Sequence, residues 1–252
     1  MNSLLLFRIE FIRSLWEIKR NPFQTLLGIL GLGAIFYLIL AAGQVVSNNQ
    51  QTSVGIASLL LNYTLGMIVF FQVSSPSSVI RAESKNGMME HLYLSQFSLV
   101  TIFTARALGN LLINLVQMLI LISGLLFLTG TTLEWSVYMI LPLLSTVIGA
   151  LGLGLWYASL AILIKDNSGL FVLSQFALFA LVGLPVIKQF WFYLIPIAPS
   201  TSLVNWAAFG GKPGWEFLLP ALLNSMGYYV IGAWLFHHAL RLAKRKGIVG
   251  HE

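Results

Sequence analysis

Residues 101–128 read TIFTARALGNLLINLVQMLILISGLLFL, and this stretch decides the class of fold. It is long enough to cross a bilayer, for which an α-helix needs about 20 predominantly apolar residues. Its one charged residue, Arg106, lies near an end, where we expect the guanidinium to reach the lipid head groups while the stem stays in the apolar layer. The stretch therefore predicts a transmembrane helix.

The whole chain has the same apolar character. Of its 252 residues, 58% are hydrophobic and only 9% are charged, and the mean hydropathy is +0.86. Soluble domains carry about a quarter charged residues, so the composition argues against the soluble, disordered and nucleic-acid-binding classes despite a net charge of +6. The chain has no cysteine, which excludes disulfides, thiol catalysis and Cys-ligated metals.

Six apolar stretches are candidate membrane spans, so we predict an all-α membrane protein. They are 23–46, 54–73, 101–128, 135–164, 169–187 and 216–238. Residues 1–22 instead predict an amphipathic helix that lies in the membrane interface and ends at Pro22. Its polar side carries Glu10, Arg13, Ser14, Glu17, Arg20 and Asn21. A signal peptide is the alternative, but the apolar run is too long and no clear A-x-A site follows.

The distribution of basic residues predicts the orientation. Cytoplasmic loops of membrane proteins carry the excess of Lys and Arg. With both termini inside, twelve of the fourteen basic residues are cytoplasmic, and only Lys188 and Lys212 are outside. We therefore expect an N-in/C-in topology.

No soluble domain interrupts the spans, so residues 1–252 form one membrane domain. Two connections are long: 74–100, which we expect to be cytoplasmic, and 188–215, which is rich in Pro, Gly and Trp and which we expect to be external. The tail 239–252 is basic and predicts an anchor at anionic head groups. Four tryptophans near the proposed outer surface predict an aromatic belt, although contact with an amphipathic substrate is an alternative: Trp135, Trp191, Trp206 and Trp215.

The sequence contains none of the motifs that would give the chain its own catalytic chemistry. The single Gly-Lys pair, Gly211-Lys212, precedes Pro213 and has no P-loop glycine upstream, so we expect ATP to bind elsewhere. His237 and His238 are neighbours that point about 100° apart on a helix, so we expect no metal site. No acid or base lies near the middle of a predicted span, which argues against an ion-coupled carrier and leaves no catalytic residue.

The loop Arg81–Ser95 carries a family resemblance. Its matching positions are Glu83, Gly87, Glu90, Leu92, Leu94 and Ser95. They resemble the loop after the second span of ABC-2 type export permeases, although Met88 replaces the usual threonine and Gln96 the usual proline. The amphipathic first helix is similar to the family's interfacial connecting helix. Pro196-Ile197-Ala198-Pro199-Ser200 resembles the segment before its last span.

The resemblance implies a mechanism and a set of partners. Two permease domains, identical or related, would form a dimer, and separate P-loop ATPase subunits would bind ATP and magnesium. The coupling loop, with Glu83, Gly87, Glu90, Leu92 and Ser95, would dock on the ATPase and carry its motion into the spans. Without the resemblance, the same residues fit a solvated loop with weak internal ion pairs.

Two sets of residues inside the spans have alternative interpretations. Asn110, Asn114 and Gln117 continue from Arg106 at helical spacing, and we call these four residues the polar stripe. It fits either a translocation surface at an interface or hydrogen bonds between helices. Ala150, Gly154 and Ala158 recur every four residues, which permits close helix packing within one subunit or across a dimer.

We therefore expect the transmembrane subunit of an ATP-driven exporter in a prokaryotic inner membrane. The absence of a charged site favours a lipid-like, amphipathic or polymeric substrate. Membrane lipids are expected partners and nucleic acids are not. The alternatives are a membrane scaffold without a pathway and a secondary carrier driven by an ion gradient.

Overall fold

The computed structural model describes residues 3–46, 53–85, 98–133, 135–163, 176–184 and 190–245, and their regular structure is entirely helical. The α-helices are α1 (Ser3–Arg20), α2 (Pro22–Val46), α3 (Ser53–Lys85), α4 (Leu99–Thr129), α5 (Ile140–Leu163), α6 (176–182), α7 (Ala198–Ala208) and α8 (Trp215–Arg245). Short 3₁₀ helices cover Val137–Met139 and Phe190–Leu194.

In the described part of the chain, five helices are long and apolar enough to cross a membrane. Their spans are Pro22–Ala42, Gly55–Ile80, Leu99–Thr129, Val137–Leu163 and Trp215–Ala243. They correspond to five of the six predicted spans. Of the predicted span 169–187, the structure describes only 176–184, so the six-span count and the orientation stay predictions.

Local sequence signals explain where these helices begin and end. The Ser98 hydroxyl accepts a hydrogen bond from the Thr101 backbone N–H at 3.1 Å, which caps the start of α4. Gly130 follows the last turn with a φ of +64°, the left-handed conformation that glycine adopts without steric cost. Pro22 starts α2 directly after α1, because proline is tolerated in the first turn of a helix.

Helix α5 lies at the centre of the bundle, between α3 and α8. A Cβ atom on Gly152 would lie 2.5 Å from the Tyr228 backbone carbonyl, and one on Gly232 would collide with the backbone of Gly152. On another side of α5, a Cβ on Gly154 would lie 3.0 Å from the Gln72 carbonyl oxygen of α3. Glycines therefore allow α5 to approach both neighbours at backbone contact distance.

Helix α7 is a short buried helix that packs against α3, α5 and α8. It follows Ile197, a buried residue with a φ of +66°. The Ala198 N–H donates to the Pro196 carbonyl at 2.7 Å across this residue, which is the hydrogen bond of a γ-turn. The turn redirects the chain into the bundle, where Ser200 of α7 is fully buried.

Three buried serines hold α7 to its neighbours. Ser145 of α5, Ser200 of α7 and Ser225 of α8 lie within 2.9–3.1 Å of one another, oxygen to oxygen. The Ser145 hydroxyl also lies 3.1 Å from the Ala221 carbonyl oxygen, to which it can donate. This cluster satisfies hydroxyl groups that would otherwise be buried without partners.

Two predicted connections begin or end differently from the sequence expectation. Helix α3 continues to Lys85, so the predicted loop 74–100 begins too early, and residues 74–85 are helical. Pro76 fits inside this helix, and its ring lies beside Gly154, where the missing side chain leaves space. The predicted external segment 188–215 contains α7 in addition to irregular chain.

The crossing of α5 and α8 generates a prediction about stability. Gly152→Ala should lower the free energy of unfolding by about 1–3 kcal/mol, because the new methyl group meets backbone that cannot move independently. Gly31→Ala in α2 is the matched control, since no atom lies within 4 Å of its Cβ position. Alanine is the better helix former, so Gly31→Ala should be neutral or slightly stabilising. Thermal unfolding of both variants in detergent measures the difference in their stability. Equal midpoints would contradict the close backbone contact between α5 and α8.

Candidate functional site

A buried ion pair attaches the amphipathic helix α1 to the bundle. The Glu10 carboxylate of α1 accepts hydrogen bonds from Nε and Nη2 of Arg106 in α4, at 3.2 and 3.3 Å. Both residues are buried, with 8% and 7% of their surfaces exposed. Such a two-pronged pair fixes orientation as well as distance. Arg106 therefore does not extend to the head groups as expected from the sequence, because Glu10 provides a counterion inside the protein.

The backbones of α1 and α4 also lie close together at this point. A Cβ atom on Gly109 would lie 3.4 Å from the carbonyl oxygen of Glu10. Gly109 is one turn from Arg106, so the close approach and the ion pair occur on the same face of α4.

The apolar side of α1 faces away from the protein. Ile9, Ile12, Leu15 and Trp16 are 41–64% exposed, whereas Ser14 on the polar side is buried. Exposed apolar side chains on one face of a helix suit contact with the acyl chains of a bilayer. The polar face therefore contributes to the protein interior instead of facing water throughout.

A chain of hydrogen bonds continues from α1 through α4 to α3. The Ser14 hydroxyl donates to Oδ1 of Asn110 at 2.8 Å. The Nδ2 of Asn110 donates to the Ser75 hydroxyl at 3.3 Å. Asn110 thus connects three helices through both ends of its amide group.

A polar cavity of about 580 Å³ lies beside this chain, between α1, α2, α3 and α4. Its polar lining consists of Ser14, Asn21, Gln24, Thr25, Ser74, Ser75, Ser78, Asn110, Asn114 and Gln117. Gly28 and four apolar residues complete the described wall: Ile29, Leu32, Phe71 and Ile113. Among these described residues, none is ionisable. We call this space the polar cavity.

The structure brings the predicted polar stripe to this cavity. Asn110, Asn114 and Gln117 all line it, whereas Arg106 pairs with Glu10 beside it. From Asn110 to Gln117 the stripe rises about 10 Å along α4, and Asn114 lies at the midpoint of this 31-residue helix. The cavity therefore extends from the α1 end of the bundle to about half its depth.

The other predicted site residues lie elsewhere. Ala150 and Ala158 are fully buried in α5, and Gly154 contacts α3 within the same chain. Glu83 falls in the last turns of α3. The remaining coupling-loop residues, Gly87, Glu90, Leu92 and Ser95, lie outside the described residues, so their predicted role stays a prediction.

Several residues of the site are absent from the sequence-based candidates. Ser75 and Gln24 reach the cavity from α3 and α2, and their sequence context gives no sign of a shared location. Glu10 was assigned only to a polar helix face. The sequence contains one signal for this ion pair. The apolar span 101–128 carries a single base, and a buried charge requires a partner, which an acid of the amphipathic helix can provide.

The described spans form a helical bundle with a partly open cavity between α1, α2, α3 and α4, an arrangement compatible with a transport protein. The family model of the ABC-2 type transporter matches residues 6–209, which include α2 to α7 and all but the first three residues of α1. The chain therefore belongs to the ABC-2 type transporter family. Comparisons with curated proteins and with solved structures gave no match.

Family membership establishes the general role of the chain. ABC-2 permeases are generally non-enzymatic transmembrane subunits that work with an ATP-binding cassette subunit. The apolar helices agree with an integral membrane protein.

The buried ion pair generates a prediction with an internal control. Glu10 also lies 3.8 Å from the exposed guanidinium of Arg13. Arg106→Gln leaves a buried carboxylate without its main counterion and should lower the free energy of unfolding by about 3–5 kcal/mol. Arg13→Gln removes a longer contact from a guanidinium that is exposed to solvent and should cost less, about 0–1 kcal/mol.

Chemical denaturation of the detergent-solubilised protein would measure the free energy of unfolding of both variants. The double variant Glu10→Gln/Arg106→Gln should recover part of the loss, because it removes both charges together. Equal losses for Arg106→Gln and Arg13→Gln would contradict the assigned geometry.

Proposed function

We propose that this chain is the permease subunit of an ATP-driven exporter and that it moves a lipid-like, amphipathic or polymeric substrate. The observation that carries the proposal is the polar cavity between α1 and α4 in a chain of the ABC-2 family. Polar side chains are costly in hydrocarbon, so a group of them around an open space at mid-helix depth fits a pathway better than simple packing.

The proposal includes a separate ATPase subunit and a second permease. The motion of the ATPase would enter the chain through the coupling loop that contains Glu90. Helix α3 supports this arrangement, because it continues without interruption from the cavity serines Ser75 and Ser78 to Lys85, next to that loop. Ser75 and Ser78 of the cavity wall and Glu83 of the coupling loop thus belong to one continuous helix. The orientation, with both termini in the cytoplasm of a prokaryotic cell, is part of the proposal.

Two other functions make different predictions. A scaffold subunit without a pathway requires the cavity amides only for stability. A secondary carrier would show flux that follows an ion gradient in the absence of ATP. The neutral lining of the described cavity supports the exporter over the carrier, since coupling to protons or ions typically uses an ionisable or unwound site inside the membrane.

The first experiment is purification of the tagged chain from its native membrane in mild detergent, followed by mass spectrometry. Recovery of a P-loop ATPase in stoichiometric amounts is the expected result. If repeated preparations that preserve other membrane complexes contain no ATPase, the exporter proposal is wrong and the scaffold or carrier gains support.

Charge reversal at Glu90 tests the coupling loop. Glu90→Lys should abolish stimulation of the partner ATPase and substrate transport in proteoliposomes, while the chain still inserts into the membrane. Glu216→Lys is the matched control, because Glu216 is an exposed acid in the first turn of α8 and outside the coupling loop. Normal transport and ATPase stimulation by Glu90→Lys would contradict a docking role.

A further inference from the structure

The polar cavity has more hydrogen-bonding capacity than the protein around it uses. Gln24, Asn114 and Gln117 line the cavity, and in the described part of the chain their side-chain amides form no hydrogen bond. Asn110, in contrast, is bonded on both sides. An amide inside a membrane protein needs a partner, since hydrocarbon provides none. Among the described residues, these three amides therefore remain available to bond water or a bound molecule.

The charge of the cavity limits what that molecule is. The described lining contains amides and hydroxyls but no ionisable group. Glu10 and Arg106, one turn from the cavity residues Ser14 and Asn110, are buried and bonded to each other. A phosphate or ammonium group in the cavity would lose its hydration without gaining a counterion, which is costly. The lining therefore favours an uncharged group that both donates and accepts hydrogen bonds.

The cavity also has an apolar part, and one of its walls is mostly exposed. Ile29, Leu32 and Phe71 line it together with the amides. Of the three predicted spans that line it, helix α2 is the least buried, with only 11% of its apolar window buried inside the protein. Gly28 of α2 lines the cavity and has no atom within 4 Å of its Cβ position. An apolar chain attached to a bound polar group can therefore leave the cavity beside α2.

From these observations we infer that the polar cavity binds the uncharged, hydroxyl-rich head group of an amphiphile. The amides of Asn114 and Gln117 bond the head group, and the apolar tail lies against α2 and the bilayer. The inference rests on the proposed function, because it takes this amphiphile to be the cargo of the permease. Binding itself can be measured without transport.

The test compares three lipids with identical acyl chains on the purified full chain. They are a monoglucosyl diacylglycerol, the diacylglycerol without a head group, and phosphatidylglycerol, which has hydroxyls and a negative charge. Native mass spectrometry of the chain titrated with each lipid gives the apparent affinities. The glucosyl lipid should bind about tenfold more tightly than either other lipid, because each additional hydrogen bond changes affinity about two- to tenfold. Equal binding of all three, or preference for phosphatidylglycerol, would overturn the inference.

Substitutions of the cavity amides then test whether the lipid head group binds in the polar cavity. Asn114→Leu and Gln117→Leu keep the approximate side-chain size, and each should lower the affinity for the glucosyl lipid about two- to tenfold. Ser123→Leu is the matched control, because Ser123 is exposed on the same helix and is not among the residues that line the cavity. If both amide variants keep the full preference, the assigned site is wrong.

Two further measurements distinguish a folding defect from a loss of lipid binding, and the lipid site from the exporter function. Gln24 is exposed at the rim of the cavity, so Gln24→Leu tests the same site if the α4 variants do not fold. Selective lipid binding without a copurifying ATPase would retain the site but reject the exporter. A copurifying ATPase without lipid selectivity would retain the exporter but reject the assigned head group.

Discussion

Hydrocarbon neither donates nor accepts hydrogen bonds, so polar groups inside this bundle bond mainly to other helices. Three buried oxygens of the described residues have no hydrogen-bond partner: Gln72 Oε1, Asn205 Oδ1 and Asn224 Oδ1. The serines Ser145, Ser200 and Ser225 satisfy one another across three helices. Ser14 and Asn110 do the same between α1 and α4. Because each bonded side chain must face its partner, these contacts determine the rotation of the helices about their own axes. The apolar residues then fill the space between helices whose orientation is already set.

The same requirement gives α1 two roles. Its apolar face is exposed, as for a helix in the membrane interface, but Glu10 and Ser14 on its polar face bond to α4. Ser14 is also part of the cavity wall. A displacement of α1 therefore changes the shape of the cavity directly. In the proposed transporter, α1 and the cytoplasmic end of α3 would move the two sides of the cavity relative to each other.

The membrane class and most of the spans were predictable, because long apolar runs with few charges have only one stable environment. The polar stripe on α4 was predictable from helical spacing, and three of its four residues, Asn110, Asn114 and Gln117, do line the cavity. The buried state of Arg106 was not, since its counterion Glu10 is 96 residues away in the chain. Serines are common in helices and give no sign of their partners, so Ser75 and the serine cluster required the tertiary structure. The turn at Ile197 was also unpredictable, because β-branched residues rarely adopt positive φ.

The glycine contact between α5 and α8 has a consequence for biogenesis. Helix α2 has a mean hydropathy of 2.3 in its span, enough to partition into lipid alone, whereas that of α8 is 1.3. Helix α8 also carries Asn224, which donates to the Tyr193 carbonyl at 2.6 Å only after the preceding segment is in place. The last helix is thus less apolar than α2, and its Asn224 gains a partner from the segment that precedes it in the chain. We expect its insertion to be less autonomous than that of α2 and to be assisted by helices that have already been synthesised.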